Sequence, residues 1–98
     1  MATRRKTGAS ISARQVQRIT KALADPRRFE ILKQIASGSC SSCAELRERV
    51  PITAATLSHH IKELEACGLV STERRGKFMD ATFDRETWNA YLGELHKM

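Results

Sequence analysis

A chain of 98 residues with a net charge of +6 and a pI of about 9.7 is long enough for one domain, and its excess of cations favours a polyanionic partner, most simply nucleic acid. No apolar run approaches the about 18 residues of a membrane span, and the opening "MATRRKTGAS" lacks the apolar centre of a signal peptide, so a soluble, cytoplasmic protein with no membrane partner is expected. Three cysteines, an odd number, point to reduced thiols rather than a disulfide framework.

Residues 1–11 show no apolar periodicity and carry Arg4, Arg5 and Lys6; a disordered basic arm is expected there, free to touch DNA or to stay solvated. The folded domain is expected over residues 12–98. Its first helix is signalled by "SARQVQRITKALA", where Ser12 and Gln15 have capping-box spacing and Val16, Ile19 and Leu23 recur at helical intervals. "ADPRRFEILKQIASG" predicts a second helix, capped by Asp25, with Pro26 in its first turn and Phe29, Leu32, Ile35 and Ala36 on its apolar face. "SCAELRERV" predicts a short third helix, with Ser42 and Glu45 again at capping-box spacing.

After Pro51, Thr53 caps a fourth helix that stops at Gly68. Leu57, Ile61 and Leu64 form its buried stripe, and Ala55, Ser58, His59, Lys62 and Ala66 face the other way. The period then changes to two. "LVSTERRGKFMDATF" predicts two strands joined at Arg75-Gly76-Lys77, and Asp84 caps a last helix with a stripe of Trp88, Tyr91, Leu92 and Leu95. The expected fold class is mainly α with a β-hairpin wing: a winged helix-turn-helix in the order helix, helix, helix, helix, hairpin, helix.

In a helix-turn-helix the second helix enters the major groove of double-stranded DNA, and residues near its start meet base edges. Here Ser58 and His59 offer hydrogen-bonding groups, and Ala55 is small enough for close approach or for a thymine methyl. Lys62 suits a phosphate, and Thr53 and Thr56 stand at a helix N-terminus that favours one; Thr53 is equally well explained as an N-cap. Arg74, Arg75 and Lys77 put three cations at the hairpin tip, placed for the DNA backbone or simply solvated. His59 and His60 are poor joint metal ligands, because helix neighbours point about 100° apart; His60 lies beside the core stripe.

"KALADPRRFEILKQIASG", "LSHHIKELEACGLV" and "RRGKFMDATF" together resemble the ArsR/SmtB family of bacterial winged-helix repressors over about residues 12–95. The resemblance implies a homodimer paired through its first and last helices, an inverted-repeat operator, and release by an inducer that is often a thiophilic metal. It places Ser58 and His59 in the recognition helix and Arg75-Gly76-Lys77 at the wing tip. It also turns Trp88, Tyr91, Leu92 and Leu95, with Val16 and Ile19, into a dimer surface. Without it the stripe would be assigned to the core.

The chain departs from the family's arsenic-type site. Its Cys-x-Cys positions, counted back from Glu45-Leu46, are held by Ser42 and Ala44, and the basic arm has no cysteine. The last helix offers only Glu94 and His96, with Asp84 and Glu86 at its start, so no zinc site is expected there. Cys67 continues the buried stripe and should behave as a small hydrophobe. Cys43, as the first residue of the third helix, should have its thiolate favoured by the helix dipole, with Cys40 free to bend toward it. Two ordinary loop cysteines, a redox or polysulfide switch, and a soft metal or metalloid site all remain open; no cofactor is certain.

Two other function classes compete with a DNA-binding regulator. A Cys-x-x-Cys oxidoreductase needs a βαβ sheet that this chain has too few strands to build, so an enzyme is not expected. A winged-helix module for protein or RNA partners would not need polar base-reading groups on the fourth helix. A regulator with no inducer site also fits.

Overall fold

The protein is described by a computed structural model covering residues 11–38 and 41–98. Cys40 and the cationic part of the arm, Arg4 to Lys6, lie outside the described residues. The elements are α1 (Ala13–Leu23), α2 (Pro26–Ala36), β1 (Ser41–Ser42), α3 (Cys43–Arg49), α4 (Ala54–Ala66), β2 (Val70–Arg75), β3 (Phe78–Phe83) and α5 (Arg85–His96). This is the expected order with one addition, the short strand β1. It pairs antiparallel with β3, Ser41 opposite Ala81 and Ser42 opposite Asp80, giving a sheet of order β1-β3-β2.

Each helix starts where a short polar side chain can accept a backbone N–H of the first turn. Ser12, Asp25, Ser42, Thr53 and Asp84 accept from Gln15, Arg28, Glu45, Thr56 and Thr87 respectively. A cap of this kind is worth about 1 kcal/mol. At α3 the box is reciprocal, because the Glu45 carboxylate also accepts the Ser42 N–H. At α1 it is only half made. The Gln15 amide donates instead to the Cys67 carbonyl at 3.1 Å, tying α1 to the end of α4.

That junction explains Gly68. Gly68 N–H reaches the Glu65 carbonyl and Leu69 N–H reaches that of Leu64, the double closure of a Schellman ending. It needs a left-handed residue, and Gly68 has φ +91°. A Cβ there would also sit 2.7 Å from the Gln15 amide nitrogen, so space and conformation both demand glycine. Gly76, at φ +60°, opens the two-residue turn between β2 and β3, where the hairpin twist favours glycine first.

The core lies where α1, α2, α3 and α4 meet the sheet. Ile19, Ile31, Ile35, Leu46, Leu57, Leu64 and Leu69 are completely or almost completely enclosed. Burying one such side chain contributes about 1.5–3 kcal/mol. Three expectations need correction. Ile19 is 0% exposed and Tyr91 5%, so both are already used inside the protomer and present almost no surface to a second copy. The Tyr91 hydroxyl shares a 2.9 Å hydrogen bond with Thr20, which fixes α5 against α1. On α2 the third enclosed position is Ile31, whereas Phe29 stays 41% exposed. Among the described residues no helix is long and apolar enough to cross a membrane.

Candidate nucleic-acid interface

The pair α3–α4 is locked from both ends. Val50, the C-cap of α3, is buried, and the Arg27 guanidinium donates to the Pro51 carbonyl at 2.8 Å, pinning the turn to α2. Thr53 then starts α4; its hydroxyl accepts the Thr56 N–H at 3.2 Å and donates to the Thr56 hydroxyl at 2.9 Å. The stripe Leu57, Ile61 and Leu64 is buried with His60, which leaves Thr53, Ala55, Thr56, Ser58, His59 and Lys62 on the exposed face. The helix is thus rolled so that its polar face is free because its apolar face is used.

His60 is 6% exposed, and its Nδ1 accepts the Arg28 Nε–H at 3.3 Å. Burial lowers its pKa, only partly opposed by the Asp25 carboxylate, and the charge of Arg28 lowers it further. It is a structural, neutral histidine that ties α4 to α2. His59 is exposed, with its ring centre 5.9 Å from that of His60.

The hairpin leans toward the same face. The Thr72 hydroxyl donates to the Glu65 carboxylate at 2.8 Å, fastening β2 to α4. Between α3, α4 and the hairpin lies an open groove of about 360 Å³, whose lining includes Arg47, Ser58, Lys62, Arg74 and Lys77. Four residues expected to meet DNA, Ser58, Lys62, Arg74 and Lys77, therefore share one depression. Thr53, Ala55, Thr56 and His59 lie on the exposed face outside it. Arg75 is placed differently: its Nε donates to the carboxylate of Asp80, which is 8% exposed, diagonally across the two strands. Its guanidinium is anchored to the sheet.

Sequence reasoning missed two members of this face. Arg47 comes from α3, whose outer side carried no motif. Phe78, 53% exposed, follows the turn on the groove side, with the Lys77 ammonium 6.0 Å from its ring centre. The available signal was an aromatic residue directly after a cationic turn.

Cys43 corrects a further expectation. It is the first residue of α3, but burial raises its thiol pKa, and the nearby Asp80 carboxylate raises it further. Desolvation and a like charge both disfavour the thiolate and oppose the pull of the helix N-terminus. Cys67 is 3% exposed, donates through sulfur to the Leu64 carbonyl at 3.3 Å and is likewise raised by burial. Among the described residues no group of three or more His, Cys, Asp and Glu side chains is placed to hold a metal. On α5, Asp84 is used as a cap, Glu94 pairs with Lys97 at 2.9 Å, and His96 is exposed.

On α5 Leu92 and Leu95 stand 42% and 41% exposed, with Trp88 of the same stripe half-buried. Val16 of α1 is also half-buried. Trp88 packs between Phe83 and Tyr91, with ring centres 6.1 and 5.8 Å away. Among the described residues, this apolar surface is only partly covered.

A helix-turn-helix domain family model matches residues 23–73, which contain α3, α4 and most of β2. The chain is similar to the arsenical resistance operon repressor of Bacillus subtilis, 30% identical over 81 residues that cover 83% of this chain and 77% of the relative. Against the repressor of the same name from Staphylococcus xylosus the identity is 38% over 66 residues, 67% of this chain; the chain spans 62% of that relative's length. Among solved structures, the homodimeric winged helix-turn-helix DNA-binding domain Mb0332 of Mycobacterium bovis, a possible ArsR-family regulator, superposes with a TM-score of 0.72 at 25% identity, covering 99% of this chain and 90% of that one. Helix order, hairpin and relatives agree: this chain belongs to the ArsR family of winged helix-turn-helix transcriptional regulators, which are not enzymes.

Proposed function

We propose that the protein is a transcriptional repressor that binds an inverted-repeat duplex operator as a homodimer, with α4 in the major groove and the hairpin on the adjacent backbone. The observation that carries this reading is the shared depression of Ser58, Lys62, Arg74 and Lys77, which joins hydrogen-bonding groups on a free helix face to cations on the hairpin. The dimer is supported by uncovered Leu92 and Leu95 and by the homodimeric Mycobacterium bovis domain. Selection of bound sequences from random duplexes tests it. Half-sites about one helical turn apart are expected. Recovery of no preferred sequence would overturn the reading.

A second reading adds release by a thiol-directed signal at Cys40 and Cys43, either an oxidant or polysulfide or a soft metal. It is supported by Cys43 lining the same groove as Ser58 and Lys62, so that an adduct on its sulfur would intrude between α4 and the hairpin. Operator titrations of wild type and Cys43→Ser, reduced and then treated with peroxide, polysulfide or arsenite, test it. Unchanged affinity of treated wild type would reject it.

A further inference from the structure

The groove between α3, α4 and the hairpin carries a chemistry that contacts to DNA phosphates do not require. Its cations come from three elements: Arg47 on α3, Lys62 on α4, and Arg74 and Lys77 on the hairpin. Glu65, the carboxylate in the lining, already accepts the Thr72 hydroxyl. The same lining also holds apolar side chains: Cys43, Ala44, Phe78 and Met79, with the buried Leu57 and Ile61. Phe78, in the same lining, leaves 53% of its surface in solvent, so its ring is open to an apolar ligand. The volume of about 360 Å³ falls in the range, about 300–1,000 Å³, of sites that take small molecules.

We propose that this groove binds a small amphipathic anion, an aromatic carboxylate or sulfonate, with its charge among Arg47, Lys62, Arg74 and Lys77 and its ring against Phe78, Met79 and Cys43. Apolar walls with a few convergent polar groups are the usual composition of such sites. Occupancy covers Ser58, Lys62, Arg74 and Lys77 together, so the bound anion excludes DNA from the same face and couples the two ligands negatively. That exclusion rests on the DNA reading proposed above; the binding does not.

The test uses the full chain and 1-anilinonaphthalene-8-sulfonate as the probe, followed by amide shifts in two-dimensional NMR. Saturable shifts centred on Cys43, Ala44, Phe78 and Met79 are expected. Two exposed substitutions separate the two halves of the site: Phe78→Ser removes apolar wall and Arg74→Gln removes charge, and each should weaken the probe at least tenfold while leaving the remaining spectrum folded. Shifts confined to α5 around Leu92 and Leu95 would overturn the proposal, as would wild-type affinity in both variants. Inorganic phosphate producing the same shifts at the same concentrations would reduce the groove to a phosphate cleft and overturn it too. For the exclusion, saturating probe should raise the duplex concentration needed for half-binding in a mobility shift. An unchanged value would sink the exclusion alone, and a duplex that fails to bind without probe would sink the DNA reading instead.

Discussion

Two helices of this protein carry apolar stripes of the same period and meet different fates. On α4, Leu57, Ile61 and Leu64 are all enclosed, 2% exposed or less, and the helix has no apolar surplus. On α5 the stripe divides: Tyr91 is enclosed, Trp88 is half-covered, and Leu92 and Leu95 remain about two-fifths exposed. Periodicity says which side chains share a face. It does not say what covers that face. The α4 stripe is covered by its own protomer, which frees the polar side for a ligand, whereas the described residues cover only part of the α5 stripe.

That contrast can be broken most severely at Leu64. Leu64→Ala should cost about 2–5 kcal/mol of stability, with the same loss in thermal melts at dilute and concentrated protein. A loss that shrinks with concentration would mean that the α4 stripe also depends on a partner.

Leu92→Arg should act in the opposite way. The wild-type melting temperature should rise with protein concentration, as it does whenever association stabilises the fold, and the variant's should not. Sedimentation should give a folded monomer for Leu92→Arg. A variant that keeps the wild-type mass would remove the α5 stripe from the dimer interface.

A smaller effect separates the free face of α4 from the hairpin. His59→Ala should lose about 1–3 kcal/mol on a selected operator and little on random duplex. Lys77→Ala should weaken both duplexes and flatten the dependence of affinity on salt by about one unit. Equal losses for His59→Ala on both duplexes would assign His59 to the backbone.

The smallest effect lies between α4 and α2. Because the folded pKa of His60 is below its ordinary value of 6.5, the unfolded chain takes up the proton more readily. The stability this neutral histidine supports is therefore present above that value and is lost as pH falls below it. Urea unfolding at neutral and mildly acid pH should show the decline, and His60→Gln should flatten it. An acid dependence identical in the variant would place the titration elsewhere.

Much of the fold was legible. The five cap residues, the Schellman glycine and the turn glycine are local devices, and Ser12, Asp25, Ser42, Thr53, Asp84, Gly68 and Gly76 stand where the sequence pattern puts them. The exposed face of α4 was legible for the same reason, since three buried residues at helical spacing orient the rest. The wing cations were only partly legible. Arg74, Arg75 and Lys77 look equivalent in the chain, yet the strand register sets Arg75 against Asp80 and leaves Arg74 and Lys77 to the groove.

The sequence by itself determined where helices begin and end and which side of α4 is polar, because capping and helical period involve residues three or four positions apart. Only the tertiary structure decided the rest. It paired β1 with β3, drew Tyr91 and Ile19 into the core, and raised the Cys43 pKa by burying the thiol near Asp80. It also brought Arg47 and Phe78 to the groove shared by Ser58 and Lys62. Burial and the charge a side chain faces depend on residues distant in the chain, so neither is written in local spacing.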